Sequence, residues 1–302
     1  MMSREEKNKE IQDELIWQER KEKYSKIIFQ VIKITLIILL TIFIFFLIIR
    51  YIGTSGLVVK EYAIYNNKVP SSFDGVKIIH FSDLHYGNVV TKNETQKLVN
   101  KINKIKPDLI FFTGDLIDEE YFNKEDKEFL IKALNDLKAN IGKYSVKGEC
   151  DKTIYTEIIG NTDFIELTDT YQLIFSKSTT PILISGIDNK KTNNENSFTY
   201  FNEEDKKEEI FHIILSHEPD IIDKIITKYS PDLMLSGHSH NGQITLPYFK
   251  GLYKKDGATK YYEPYYEIGN TELFISSGIG SSPYPYRLFN HPSINFYRLR
   301  KE

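Results

Sequence analysis

Residues 76–85 read VKIIHFSDLH, a short apolar run that stops at Ser82, Asp83 and His85. An apolar run of this length, bounded by polar residues, predicts a strand buried on both faces. The same pattern recurs along the chain. Residues 109–112 lead to Gly114 and Asp115, 143–146 to Gly148, 211–215 to His217, and 233–235 to Gly237 and His238. Further strands are predicted at 183–187 and 273–275, and helical periodicity falls at 94–104 and 125–139. This alternation predicts an α/β domain with a buried, mostly parallel sheet. Residues 189–197 and 202–209 are polar and read as solvated loops inside that domain, because strands continue on both sides.

In open α/β sheets, ligands bind beyond the carboxyl ends of strands. Asp83 and His85, Asp115, His217, and His238 with His240 all stand at such ends. Gly114 and Gly237 are expected to let the backbone turn so that the next side chain points at a common centre. A lone Asp after a strand is more often a helix cap, and a lone His more often structural. Four strand ends bearing Asp or His, two of them as i, i+2 pairs (DLH and HSH), are a metal pattern instead. Imidazole with carboxylate suits Zn2+, Mn2+ or Fe ions. The ligands outnumber what one ion needs, and two divalent metal ions sharing a carboxylate account for all of them.

Composition bounds the rest. The 302 residues are 41% hydrophobic and 27% charged, with net charge −3, which gives no reason to expect nucleic-acid binding. A single cysteine, Cys150, excludes an internal disulfide. Residues 34–49 (ITLIILLTIFIFFLII) are sixteen consecutive apolar or Thr residues, and with 27–32 before them and 51–52 after they are long enough to span a membrane. Arg50-Tyr51 follows the run with no small-x-small site, so it reads as an uncleaved anchor and not a signal peptide. Residues 1–33 carry eight Lys/Arg, against Arg50, Lys60 and Lys68 in 50–70. The positive-inside rule then places the N-terminus in the cytoplasm and the C-terminal part outside the cell. The expected organisation is a charged cytoplasmic segment (1–26), a single-pass membrane anchor (27–52) and a catalytic domain (53–302).

D-x-H, G-D-x-x-D, H and G-H-x-H, in this order, resemble the calcineurin-like metallophosphoesterase superfamily. Three longer stretches, SFDGVKIIHFSDLH, LMLSGHSHNGQITLP and GIGSSPYPYRLFNHPSI, resemble its membrane-anchored bacterial branch. The resemblance covers residues 56–300. It implies a two-sheet sandwich flanked by helices. It also implies that Asp83, His85 and His240 hold one metal, that His217 and His238 hold the other, and that Asp115 bridges them. A hydroxide between the ions would then attack phosphorus in line with the leaving oxygen. The implied substrate is a phosphodiester or pyrophosphate, with phosphomonoesters also open and a lipid- or wall-linked phosphate suggested by the anchor.

The departure is Gly148-Glu149-Cys150-Asp151, where the family carries Gly-Asn-His followed by Asp or Glu. By position Glu149 replaces an amide metal ligand, and Cys150 replaces the histidine that contacts phosphate or protonates the leaving group. A carboxylate still donates oxygen to a metal, whereas a thiol is a weak hydrogen-bond donor. Some branches carry Gly-Asn-Cys-Asp here. Two readings therefore stand: a working phosphoesterase, or a weakly active metal-binding sensor or adaptor. Asn161 in GNTD (160–163) is a competing amide ligand, but strand context and spacing favour Glu149. His80 and His212 lie inside apolar strands and read as packed, hydrogen-bonded residues. His291 is read as structural or incidental, Asp118 as the cap of a following helix, and Lys254-Lys255 as solvated. The aromatic run at 248–266, with Tyr253, Tyr261, Tyr262, Tyr265 and Tyr266, is read first as packing and second as a substrate groove.

Overall fold

The computed structural model describes residues 3–187, 210–246, 248, 251 and 254–302. The two polar stretches at 189–197 and 202–209, and Tyr253, lie outside the described residues. The chain divides into two units, residues 1–49 and 50–302.

The first unit is a helix, α1 (Arg4–Leu47). Ser3 starts it with a reciprocal capping box: the Glu6 N–H donates to Ser3 Oγ, and the Ser3 N–H donates to Glu6 Oε2. No residue of α1 is buried. Its apolar half runs on through a π-helical turn at Ile48–Ile52, and the helix is long and apolar enough to cross a membrane. The charged and apolar segments thus form one continuous helix, because nothing between them breaks the hydrogen-bond ladder.

The second unit holds two six-stranded sheets. The first contains β1 (Val58–Tyr65), β2 (Lys77–Phe81), β3 (Leu109–Phe112), β4 (Gly142–Ser145), β5 (Phe164–Glu166) and a strand from the far end of the chain, β12 (Ser293–Arg300). Their order is β1-β12-β2-β3-β4-β5, and β2 through β5 are parallel. The second sheet contains β6 (Thr170–Ile174), β7 (Ile182–Ile187), β8 (His212–Ser216), β9 (Leu233–Ser236), β10 (Tyr265–Ile268) and β11 (Thr271–Ile275). Its order is β10-β11-β9-β8-β7-β6, parallel except where β10 and β6 pair at the two edges.

Alternation along each strand sorts the core into layers. Ile78, Leu109, Phe111, Ile213 and Leu215 point between the sheets. Their neighbours Ile79, Ile110 and Phe112 point to the other face, toward α2 (Lys92–Ile105), α3 (Lys127–Asn135) and α4 (Thr153–Ile159). Ile214 and Met234 form a third layer outside the second sheet. Burial on both faces is why these strands read as unbroken apolar runs. The sequence pattern of one mostly parallel sheet is thus resolved into two mixed sheets flanked by helices.

The helix expected at 125–139 is shorter, with a 3-10 turn at Lys124–Asp126 before α3. The buried Lys143 ammonium ends it by donating to the Leu134 and Leu137 carbonyls, and it pairs with Asp163. The segment Thr153–Ile159, just before the GNTD stretch, is the helix α4. His80 and His212 are packed as expected: His80 Nε2 lies 2.9 Å from Thr113 Oγ1 and His212 Nε2 2.8 Å from Ser185 Oγ.

The two layers meet tightly where β7 passes Leu167. A Cβ on Gly186 would lie 2.0 Å from the Leu167 carbonyl oxygen and 2.7 Å from Val146 Cγ1. Gly186→Ala is therefore expected to cost about 1–3 kcal/mol of stability. Thermal melting of the full-length protein in detergent checks this, and an unchanged midpoint contradicts it.

Candidate metal centre

The candidate ligands lie just beyond β2, β3, β4, β8 and β9. Asp83, His85, Asp115, His238 and His240 all adopt left-handed backbone conformations, with φ of +50°, +43°, +57°, +66° and +49°. Such geometry costs a non-glycine residue about 1–3 kcal/mol and concentrates at functional sites. Gly114 also turns with φ +87°, as expected. Gly237 serves differently from the sharp turn expected of it: it has no positive φ, but a Cβ there would sit 2.6 Å from Asp83 Oδ2. It permits close approach.

The side chains converge. Ligand atoms of Asp83, His85 and His240 lie within 4.8 Å of one another, and so do those of Asp115, His217 and His238. Asp115 Oδ2 stands between the groups, 3.5 Å from His85 Nε2 and 3.3 Å from His217 Nε2. His240 Nε2 is 3.3 Å from Asp83 Oδ1. All six residues are buried.

The donor and acceptor inventory of this cluster decides its chemistry. His217 Nδ1 lies 2.6 Å from the Thr113 carbonyl, and His238 Nε2 lies 2.6 Å from the Asp256 carbonyl. A carbonyl accepts only, so each of those nitrogens carries its ring's hydrogen. The remaining nitrogens, His217 Nε2 and His238 Nδ1, then face each other with lone pairs at 3.2 Å. Asp115 Oδ2, His85 Nε2 and His240 Nε2 are buried nearby with no hydrogen-bond partner. A buried set of acceptors without donors is unfavourable unless positive charge sits among them. The residues fit divalent cations.

The titration behaviour follows. Burial pushes His85 and His238 down to about 4 and His240 to about 3, so these rings are neutral at neutral pH. Burial also disfavours charge on His217, but the Asp115 and Asp83 carboxylates outweigh it and push that ring up to about 10. Burial alone would raise Asp115, yet His217 and His85 hold it well below the carboxylate range. A proton on His217 thus occupies the place of a cation.

Comparison with known proteins agrees with this chemistry. The family model of the calcineurin-like phosphoesterases matches residues 76–242, more than half of the chain. An uncharacterized metallophosphoesterase of Bacillus subtilis is 30% identical over 259 residues, covering 83% of this chain and 88% of that one. The chain belongs to the calcineurin-like phosphoesterase family. Two further relatives carry more specific descriptions. A transmembrane protein with a metallophosphoesterase domain from Danio rerio is 26% identical, covering 78% of this chain and 55% of its own length. A UDP-2,3-diacylglucosamine pyrophosphatase of Chlamydia muridarum is 27% identical, covering 61% of this chain and 70% of its own. The family works with divalent metals, and the His/Asp clusters are of the kind that hold them.

Where the family carries Gly-Asn-His, the turn 148–151 stands against this cluster. Glu149 Oε1 is 3.6 Å from His238 Nδ1. Cys150 is half-buried, and its Sγ lies within 4.8 Å of ligand atoms of His85 and Asp115. Burial, then the Asp115 and Glu149 charges, push its thiol far up. Asn161, the competing amide, is exposed at the end of α4 and donates to the Glu157 carbonyl.

Three residues around the phosphoesterase centre escaped the sequence reading. Asp151 is buried and accepts from the backbone N–H groups of Asp115, Leu116 and Gly148 at 2.8–2.9 Å. It ties the Asp115 turn to the Glu149-Cys150 turn. Its place as the last residue of the Gly-Glu-Cys-Asp motif was the available signal. The fully buried Arg287 donates to the carbonyls of Ser277, Gly280 and Asn290 and lies 3.3 Å from His240 Nδ1. A lone Arg in a loop gave no signal. Lys255 is the third. The expected solvated lysine pair divides: Lys254 Nζ lies 4.3 Å above the Tyr262 ring, while the Lys255 charge acts on Asp115, His85, Glu149, Cys150, His238 and His240.

One minor expectation changes and one holds. Asp118 accepts from the Tyr121 N–H in a turn, and Asn123, not Asp118, caps the next helix. Of the described aromatic residues in 248–266, Tyr261 and Tyr262 are buried and Tyr265 packs on Phe274, which favours packing over a groove.

A cation must displace the His217 proton, because both need the same lone pair. Metal affinity is therefore expected to strengthen as pH rises through neutrality toward about 10, with proton release on binding. Calorimetric titration at stepped pH checks this, and a pH-independent affinity contradicts it.

Proposed function

We propose that the chain is a membrane-anchored, metal-dependent phosphoesterase that hydrolyses a phosphodiester or pyrophosphate at a binuclear centre. The carrying observation is the two buried His/Asp clusters joined at Asp115, with His217 Nε2 and His238 Nδ1 facing each other at 3.2 Å. Asp83, His85 and His240 would hold one divalent ion and Glu149, His217 and His238 the other, with Asp115 shared. Zn2+, Mn2+ and Fe ions all suit these ligands. When bound, two such ions supply Lewis acidity toward phosphoryl oxygens and make water nucleophilic at neutral pH.

The chain's own groups shape what can react. The positive charge of Lys255 acts on Glu149 and Cys150, and such a charge suits the non-bridging oxygens of a phosphoryl group. Glu149 adds a negative charge where an amide would be neutral, which lessens the electrophilic pull on substrate. Cys150 offers a weak donor in place of an imidazolium, so protonation of the leaving oxygen is poorly served. A pyrophosphate expels a phosphate, which leaves readily without a proton, whereas an alkyl diester expels an alkoxide. The site thus favours pyrophosphates and aryl esters. The pyrophosphatase activity named for the Chlamydia muridarum relative supports the same class.

Residues 1–26 would lie in the cytoplasm, 27–52 would form the anchor, and 53–302 would work outside the cell. An anchored site beside a bilayer suits a lipid- or wall-linked phosphate. The replacement at Glu149 and Cys150 also favours a second reading, a metal-binding sensor or adaptor with little turnover.

Hydrolysis of aryl diester, alkyl diester and pyrophosphodiester substrates by the full-length protein separates the two. The native chain should turn over the pyrophosphodiester and aryl diester. The variant combining Glu149→Asn and Cys150→His should raise alkyl-diester hydrolysis by about 10²–10⁴-fold. No turnover of any substrate by a metal-loaded native chain contradicts the enzyme reading and leaves the adaptor.

A further inference from the structure

We propose that Cys150 is a thiolate ligand of the ion held by Asp83, His85 and His240, and that it biases the centre toward sulfur-binding ions such as Zn2+, Fe2+ and Co2+ over Mn2+ and Mg2+. The inference rests on the binuclear reading above and gives the substituted residue a task that a thiol performs well.

Geometry carries it. The sulfur, a ring nitrogen of His85 and a carboxylate oxygen of Asp115 all lie within 4.8 Å of one another. His85 Nε2 and Asp115 Oδ2 are fully buried and have no hydrogen-bond partner. The sulfur therefore stands beside two residues that each carry a buried, unpartnered ligand atom. Its position is fixed from below. The Cys150 N–H donates to Asp115 Oδ1 at 2.9 Å, and Asp151 clamps the Gly148 and Asp115 backbones together. Gly148 has no room for a side chain, since a Cβ there would meet Asp115 Oδ1 at 2.2 Å.

The turn also divides its two side chains between the ions. Glu149 Oε1 faces His238 Nδ1 at 3.6 Å, on the side of His217 and His238. Cys150 lies beside His85, which is itself grouped with Asp83 and His240. Consecutive residues would thus serve one ion each, on either side of the shared Asp115. On loading, the S–H bond breaks, its electron pair forms the sulfur–metal bond, and the proton leaves to water through the partly exposed face of Cys150. A thiolate in the coordination shell adds negative charge and favours ions that accept soft donors.

The test is Co2+ titration of the full-length, chelator-stripped, reduced protein in detergent, read by absorption and by bound cobalt. Cys150 is the only cysteine in the chain, so any near-ultraviolet thiolate-to-cobalt charge-transfer band comes from it. The expected result is such a band in the native protein. Cys150→Ser should lose the band, keep its bound cobalt, and hold one ion at least about tenfold more weakly. A native protein that binds cobalt without the band overturns the inference. Stoichiometry reads the underlying claim separately, because fewer than two cobalt ions contradicts the binuclear reading whether or not the band appears. If Cys150→Ser does not fold, the native spectrum alone decides.

Discussion

His217 Nε2 and His238 Nδ1 face each other at 3.2 Å in a buried space, with the other nitrogen of each ring held by a main-chain carbonyl. That arrangement is unstable without positive charge, and much of the domain serves to hold it in place. The Thr113 and Asp256 carbonyls fix which nitrogen of each ring faces inward. Thr113 belongs to the turn after β3 and Asp256 to a loop after β9, so both sheets contribute to aiming the rings. The same inward acceptors explain the opposed titration of the cluster. His217 takes up a proton because Asp115 and Asp83 surround it, while His85, His238 and His240 stay neutral. Divalent ions would replace that one proton with more charge.

The backbone is bent to make this possible. Five candidate ligands sit at positive φ, at a cost of about 1–3 kcal/mol each. The offset is burial. Each large apolar side chain removed from water contributes about 1.5–3 kcal/mol, and the layers on both faces of β2, β3, β8 and β9 hold many of them. Rigid strands then end in strained turns whose directions are set by close contact. Gly237 lies against Asp83, and Gly148 lies against Asp115. The candidate ligands thus sit at the ends of strands buried on both faces, where packing behind the turns offsets their strain.

The sequence revealed the candidate ligands because each follows a strand buried on both faces, and such strands stand out as apolar runs. β1 and β12 did not stand out. They pair in register from Val58 opposite Ser293 to Tyr65 opposite Arg300, at opposite ends of the unit, and their polar positions break the apolar signal. β5, β6 and β10 are short or lie toward sheet edges, where propensity says little. The role of Lys255 was hidden for another reason: only the path of its loop distinguishes it from Lys254. Asp151 was in view as part of the motif, yet its three backbone partners come from two separate turns. Residues that act by aiming others leave a weak trace in sequence, because their partners are distant and main-chain.

The most direct measurement is an anomalous-scattering map of the metal-loaded full-length protein. Two peaks should flank Asp115, one beside Asp83, His85 and His240 and the other beside Glu149, His217 and His238. A single peak, or none at these residues, would contradict a binuclear centre built around the Asp115 carboxylate.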